Sequence, residues 1–160
     1  MSLTIRAARP DDAATVFELV RALAEYEKLS HELIATPQML GDALFCEKPN
    51  VFCDLAEWDG KPVGFALWFL NYSSFAGKNG IYLEDIFVQP SHRGKGIGKA
   101  LLVHLAKICT ERGYARMQWS VLDWNTPSIE FYKSLGGVML DDWTLVRVSG
   151  DALAKLACRA

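Results

Sequence analysis

The sequence predicts an α/β fold, a mixed central β-sheet with helices on both faces, and two observations lead to this class. Helical and strand-like periodicities follow one another along the 160 residues in the order β, α, α, β, β, β, α, β, α, β. Apolar residues make up 51% and charged residues 22% of the chain, which is enough apolar surface for a core without staples. We expect one domain over residues 1–160, because no linker, repeat or low-complexity segment interrupts the pattern.

The first third of the chain carries one strand and two helices. Residues 3–7 alternate as a half-buried strand does. Apolar side chains then recur at helical spacing from Val16 to Ala24. A second helix is predicted from Thr36-Pro37, because threonine caps a helix well and proline suits its first position.

The middle of the chain changes to a strand-like period. Residues 51–58 and 63–72 flank an Asp59-Gly60 turn and predict a β-hairpin, and residues 81–88 predict the next strand. The remaining predicted elements are a helix from Ile97 to about Arg112-Gly113, a strand at 117–122, a helix from Thr126-Pro127 to Gly136-Gly137, a strand at 143–148 and a helix from Asp151.

Composition excludes several classes of protein. The formal net charge of −2 argues against a general nucleic-acid binder. The longest apolar stretch, residues 63–70, is too short to span a membrane, and no signal-peptide pattern opens the chain, so we expect a cytoplasmic protein with no membrane partner. The cysteines lack metal-ligand spacing and are expected to be buried free thiols rather than metal ligands; they are Cys46, Cys53, Cys109 and Cys158.

The most informative segment is a basic, glycine-rich turn between a predicted strand and a predicted helix. Three alternate glycines leave its backbone uncovered, and the helix start directs unpaired N–H groups at whatever lies there, so an anion is expected. A Walker A loop would need Gly at Arg93 and Ser or Thr at Ala100, and a dinucleotide fingerprint would need Gly at Lys99. The remaining pattern is Arg-x-x-Gly-x-Gly, from Arg93 to Gly98.

That pattern resembles the acyl-CoA pyrophosphate loop of the GCN5-related N-acetyltransferases, the GNAT superfamily. Residues 23–27, Gly77 with 82–88, and residues 124–133 resemble the spermidine/spermine and thialysine N-acetyltransferases within it. The resemblance runs from Ile5 to the C-terminal helix. It implies a GNAT fold and transfer of an acetyl group from acetyl-CoA to a primary amine of a small cationic acceptor, such as a polyamine, a diamine or a thialysine-like amine. Direct attack in a ternary complex, no metal and a homodimer are also implied.

The chemistry of this transfer defines the groups that are needed. An amine with a pKa of roughly 10.4 is protonated at neutral pH, and only its neutral form attacks a thioester. A base, an oxyanion donor and an acid for the leaving thiolate are therefore required. The resemblance implies Tyr132 as the acid and Glu84 as the base, acting directly or through water. Alternation along the strand places Asp85 on the opposite face from Glu84, where a hydrogen-bonded or interface role is expected.

The resemblance also implies the binding residues. The oxyanion donor would be a backbone N–H near Phe87 or Val88. The implied cofactor-binding residues are Ile86, Phe87, Val88, Arg93, Gly94, Lys95, Gly96, Ile97, Gly98, Lys99, Asn125, Thr126, Pro127 and Ser128. The implied acceptor-binding residues are Tyr26, Glu27, Glu84, Trp119 and Asp142, with Asp141 as an alternative to Asp142.

Two alternative functions remain open. The acceptor could belong to another class, namely an amino-acid side-chain amine, an aminoglycoside or a protein lysine. The chain could also be an acyl-CoA-binding sensor without turnover, although a sensor needs neither the base Glu84 nor the acid Tyr132. The histidines form no metal or triad pattern, and His104 is expected to be a surface or partly packed imidazole at the edge of a helix face.

Overall fold

A computed structural model describes residues 1–159, which fall into two compact units, one ending at Ser120 and one beginning at Val121. No helix in the described part of the chain has the length and apolar character needed to cross a membrane. The first unit contains β1 Leu3–Ala7, α1 Ala13–Tyr26, α2 Pro37–Leu44, β2 Val51–Trp58, β3 Lys61–Ser73, β4 Lys78–Val88, α3 Ile97–Glu111 and β5 Met117–Gln118; the second contains α4 Thr126–Ser134 and α5 Gly150–Ala157.

The five strands form one mixed sheet in the order β1-β2-β3-β4-β5. The first four pair antiparallel with their neighbours, whereas β4 and β5 pair parallel. The predicted hairpin is confirmed: Asp59 and Gly60 have φ of 50° and 77°, and two positive φ values suit the tight turn between twisted strands. The predicted second helix is also confirmed, since Thr36 Oγ1 accepts a hydrogen bond from Met39 N at 3.2 Å.

Helices cover both faces of the sheet, as the sequence predicts. One face carries a core to which α1, α2 and the inner strands contribute Val16, Leu19, Leu23, Leu44, Cys53, Leu55, Phe65, Leu67 and Phe87. On the other face lies α3, whose His104 reaches Asp54, a residue that alternation turns away from Cys53 and Leu55. The buried side of α3 consists of Ile97, Leu101, Leu102, Leu105 and Cys109.

The last predicted strand, residues 143–148, is wrong. The backbone has no regular structure there, and Trp143 N donates to Leu140 O in a turn at 3.1 Å. A strand needs a neighbour for its N–H and C=O groups, and the described residues of the second unit form no other strand. The apolar side chains that suggested it are exposed instead, Trp143 at 80% and Val146 at 82%.

Two further expectations need correction. The strand predicted at 117–122 is reduced to Met117–Gln118, because its partner β4 has a bulge just beyond the last paired residue, Tyr82, and a bulge bends and twists a strand.

All four cysteines are free, as expected, and Cys53 and Cys109 are buried. Cys46 and Cys158 are exposed, because they follow or end short helices rather than line the sheet.

Candidate active site

The glycine-rich turn leads directly from β4 into α3. Gly94 and Gly96 have φ of 76° and 78°, a conformation that strains residues with a side chain, and a Cβ on either would meet nothing within 4 Å. The glycines are therefore required by the backbone path rather than by crowding. The first backbone hydrogen bond of α3 runs from Ala100 N to Gly96 O at 2.9 Å, so the earlier N–H groups lack an intrahelical partner.

The cations of this turn lie against aromatic rings of the first unit. The guanidinium carbon of Arg93 is 4.4 Å from the ring centroid of Tyr26 and 5.5 Å from that of Phe87, and its Nε donates to Val88 O at 3.0 Å. The Lys95 amine is 5.1 Å from the ring centroid of Trp58. The structure thus brings together Tyr26, predicted to bind the acceptor, and Arg93, predicted to bind the donor.

Strand β4 is irregular where the site residues lie. Asp85 faces Leu67 and Leu83 faces Trp68, so Glu84 is an extra residue without a partner across the ladder. On its other side, β4 pairs with β5 only through Ile81 and Tyr82. Backbone groups of residues 83–88 on that side have no strand partner among the described residues, as expected of a strand that receives an extended ligand arm.

Three carboxylates lie where α1 ends and β4 bulges. Glu84 is exposed, and Asp85 is largely withdrawn from water, which raises its pKa to about 7, with the charges of Glu84 and Glu27 adding to the rise. Burial also raises the pKa of Glu27, which ends α1, where the helix dipole disfavours a negative charge. Within residues 1–159, neither Asp85 nor Glu27 has a cation or a hydrogen-bond donor as partner.

The second unit holds the remaining predicted residues. Asn125 is buried and caps α4, its Oδ1 accepting from Ser128 N at 3.4 Å, and Thr126 and Pro127 form the first turn. Tyr132 is buried at 7% exposure, and its ring centroid is 5.5 Å from that of Phe131. Asp142 is exposed. Trp119, predicted to line the acceptor site, is half-buried near the end of the first unit.

Sequence reasoning missed the state of Asp85. We expected a hydrogen-bonded or interface role for Asp85. Within residues 1–159 it has neither a hydrogen-bond donor nor a cation as partner, and the interface role stays a prediction. The signal was present: consecutive acids in an otherwise apolar strand require at least one of them to face the interior. The contact of Lys95 with the ring of Trp58 had no such signal, because Trp58 ends β2 and Lys95 lies far along the chain in the turn before α3. In the part of the chain described by the structure, no three His, Cys, Asp or Glu side chains group as metal ligands.

Comparison with known proteins assigns the family. Residues 15–136 match the acetyltransferase (GNAT) family. Thialysine N-epsilon-acetyltransferase of Bos taurus is 37% identical over 164 residues, covering 96% of each chain. L-ornithine N5-acetyltransferase of Arabidopsis thaliana is 32% identical and covers 95% of this chain and 86% of its own. An integron cassette protein of Vibrio cholerae superposes with a TM-score of 0.83, at 29% identity and 99% coverage of both chains.

The chain belongs to the acetyltransferase (GNAT) family, and its mixed sheet with helices on both faces is the GNAT fold. It is an N-acetyltransferase, like the thialysine N-epsilon-acetyltransferases that it matches over nearly their whole length. The family uses acetyl-CoA as co-substrate.

Proposed function

We propose that this enzyme transfers the acetyl group of acetyl-CoA to a primary amine of a small cationic acceptor, a polyamine, a diamine or a thialysine-like amine. The observation that carries the proposal is the set of carboxylates Glu27, Glu84 and Asp85, two of which lack a cationic or hydrogen-bonding partner among the described residues. Withdrawn carboxylates without a counter-charge are costly, and a cationic ligand would relieve that cost. The acceptors named in the relatives, thialysine and L-ornithine, are amines.

The donor would be held by the turn and the start of α3. The uncovered backbone at Gly94 and Gly96 and the unpaired N–H groups of the first turn of α3 fit a pyrophosphate, because they present neutral donors and a positive dipole end to solvent. Acetyl-CoA supplies an activated thioester. The residues assigned to its binding are Ile86, Phe87, Val88, Arg93, Gly94, Lys95, Gly96, Ile97, Gly98, Lys99, Asn125, Thr126, Pro127 and Ser128.

The proton transfers are assigned to two residues, Glu84 and Tyr132. Glu84, exposed at the bulge of β4, accepts the proton of the acceptor ammonium directly or through a water molecule. A backbone N–H near Phe87 or Val88 donates to the oxygen that gains negative charge. Tyr132 donates a proton to the leaving thiolate. Tyr26, Glu27, Trp119 and Asp142 contact the acceptor, and we add Asp85 to this set.

Direct attack, without an acyl-cysteine, fits the state of the buried thiols. Burial raises the pKa of both Cys53 and Cys109, so each stays protonated, and a protonated thiol is a poor nucleophile. Incubation with radiolabelled acetyl-CoA in the absence of acceptor should leave no label on the protein. Label that survives denaturation would replace direct attack with a two-step transfer.

Assembly and location complete the proposal. Residues 1–160 would act as one GNAT domain, in a cytoplasmic homodimer without nucleic-acid or membrane partners. The exposed apolar side chains of the second unit, among them Val138, Trp143, Leu145 and Val146, support an interface between copies. Sedimentation equilibrium should return twice the chain mass of 17.8 kDa. A monomer across the micromolar range would remove this part of the proposal.

The central test measures CoA thiol release with acetyl-CoA and a panel of amines. Spermidine, putrescine, thialysine and ornithine should give the highest kcat/KM, followed by an aminoglycoside and a lysine peptide. A higher value for either of the last two would reassign the acceptor class. Binding of acetyl-CoA with no release for any amine would identify an acyl-CoA sensor instead.

A further inference from the structure

A polar cluster lies under α3, on the face of the sheet opposite the main core; two of its members are buried and the third, His104, is partly exposed. Asp54 of β2 is 5% exposed; its Oδ2 accepts from Trp68 Nε1 at 2.8 Å, and its Oδ1 lies 3.2 Å from His104 Nε2. The three residues come from β2, β3 and α3. We refer to Asp54, Trp68 and His104 as the Asp54 cluster.

The position of His104 on α3 makes this contact unusual. His104 lies seven residues after Ile97, which is two helical turns, or about 10 Å along the axis. It therefore occupies the stripe of α3 that otherwise buries apolar residues such as Ile97 and Leu101. Among residues 1–159, the bond from His104 to Asp54 is also the one side-chain hydrogen bond between α3 and the sheet.

The Asp54 cluster places a directional hydrogen bond on α3, which is otherwise held by apolar packing. Apolar burial is non-directional and tolerates small shifts and rotations, whereas a hydrogen bond fixes a distance and an angle. The restraint acts on a buried carboxylate, and losing His104 removes one of its two side-chain partners. The N-terminus of this same helix carries the free N–H groups next to Gly96.

We propose that Asp54 and His104 are positioning residues for the donor: they fix the height and rotation of α3 so that its first N–H groups meet the pyrophosphate of acetyl-CoA. The inference rests on the proposed function, in which that helix start binds the donor. Trp68 orients the carboxylate by occupying its second oxygen. Neither residue touches the reacting atoms in this role.

A cavity next to the cluster indicates how the protein responds when the bond is lost. It measures about 350 Å³, and its walls include Asp54, Trp68, His104 and Arg112. Water entering from this cavity can solvate Asp54 if His104 is replaced. The substitution is therefore expected to loosen α3 rather than to unfold the first unit.

The experiment compares His104→Leu, which removes the donor, with His104→Gln, which keeps an N–H donor on a side chain of similar reach. Acetyl-CoA affinity is measured by calorimetry, and KM for each substrate by CoA thiol release. In His104→Leu the dissociation constant and KM of acetyl-CoA should rise about fivefold or more, while kcat and the acceptor KM stay within about twofold. His104→Gln should restore most of the donor affinity.

A matched control separates positioning from general loss of stability. Val16→Ala removes methyl groups from the fully buried core on the other face of the sheet, away from α3. It should lower the melting temperature without changing acetyl-CoA affinity. If His104→Leu does not fold, Trp68→Phe removes the other donor to Asp54, and the same selective loss of donor affinity is expected.

The possible results distinguish a failure of this inference from a failure of the proposed function. Unchanged acetyl-CoA affinity in His104→Leu or Trp68→Phe, with binding intact in the wild type, would overturn this inference alone. Equal losses for both substrates, or the same loss in Val16→Ala, would reduce the cluster to a structural role and overturn it as well. A wild-type chain that binds no acetyl-CoA would overturn the proposed function, and this inference with it.

Discussion

The glycine-rich turn and the end of α1 bind charge by opposite means. The turn uses a contiguous segment, residues 94–99, whose backbone N–H groups are neutral and donate to no backbone carbonyl among the described residues, so they need no counter-charge before a ligand arrives. The end of α1 and the bulge of β4 bring Glu27, Glu84 and Asp85 together, and two of these acids are partly withdrawn from water without a cation. The donor site therefore costs little stability, whereas the acceptor site is unfavourable until a cation fills it.

The largest expected effect concerns the stability cost of Asp85. Its pKa is about 7 in the folded chain against an ordinary 3.8, so folding takes up a proton between these pH values. The stability tied to this group is fully present below about pH 4 and is lost as the pH rises through about 7, a change of roughly 4 kcal/mol. About 2.7 kcal/mol of this change falls between pH 5 and pH 8, and Asp85→Asn should lack that loss when the free energy of unfolding is measured with urea at these two pH values.

The control for Asp85 is Asp11→Asn, which changes an exposed carboxyl group. Its pH dependence should follow that of the wild type. If Asp85→Asn loses as much stability as the wild type between pH 5 and pH 8, the withdrawn carboxylate carries no cost, and the contrast between the two sites disappears.

The next effect tests a residue that belongs to neither charged region. Tyr132→Phe should lower turnover about a hundredfold, near 2.7 kcal/mol, because the leaving thiolate loses its acid, while acetyl-CoA affinity is retained. Initial rates of thiol release give the turnover, and calorimetric titration gives the acetyl-CoA affinity. Tyr114→Phe, the same change at a half-buried tyrosine of the first unit, should keep full turnover. Near wild-type turnover in Tyr132→Phe would show that Tyr132 does not protonate the leaving thiolate.

Features that depend on local backbone geometry could be predicted from the sequence, whereas features that depend on distant residues could not. The strand, turn and helix around Gly96 follow from neighbouring residues, and so does the cap at Thr36, because both depend on local backbone geometry. Alternation separates Asp85 from Glu84, but the bulge at Glu84 arises from the pairing of β4 with β3, which no pattern within β4 shows. The bond between Asp54 and His104 joins residues far apart in the chain, and no local pattern encodes it.

The incorrect strand prediction at 143–148 also reflects a non-local property. Its apolar residues carried the pattern of a strand, but a strand is stable only with a paired neighbour, and pairing is a non-local property. The pattern therefore identified residues that suit a strand, but it could not show whether a neighbouring strand is available to pair with them.

A smaller effect concerns the exposed acid of the acceptor region. Glu84→Gln should lower kcat/KM about tenfold at neutral pH, because the ammonium of the acceptor then has no base, and should move the pH optimum upward. Rates measured from pH 6 to pH 10 test both points, with Glu47→Gln, an exposed acid after α2, as the control. An unchanged pH profile would show that Glu84 contributes charge rather than proton transfer, which would make it resemble Asp85.

The smallest expected effect tests whether the donor turn depends on backbone alone. Gly96 has φ of 78° with open space where a Cβ would lie, so Gly96→Ala adds backbone strain of about 1 kcal/mol and no clash. Gly77, with φ of 63° and similar open space, provides the same strain in the turn before β4. Both alanine variants should lose similar stability to urea. Only Gly96→Ala should weaken acetyl-CoA binding, about fivefold, because relief of its strain moves the N–H groups at the start of α3. Equal binding by the two variants would mean that side chains such as Arg93, rather than the backbone, hold the donor.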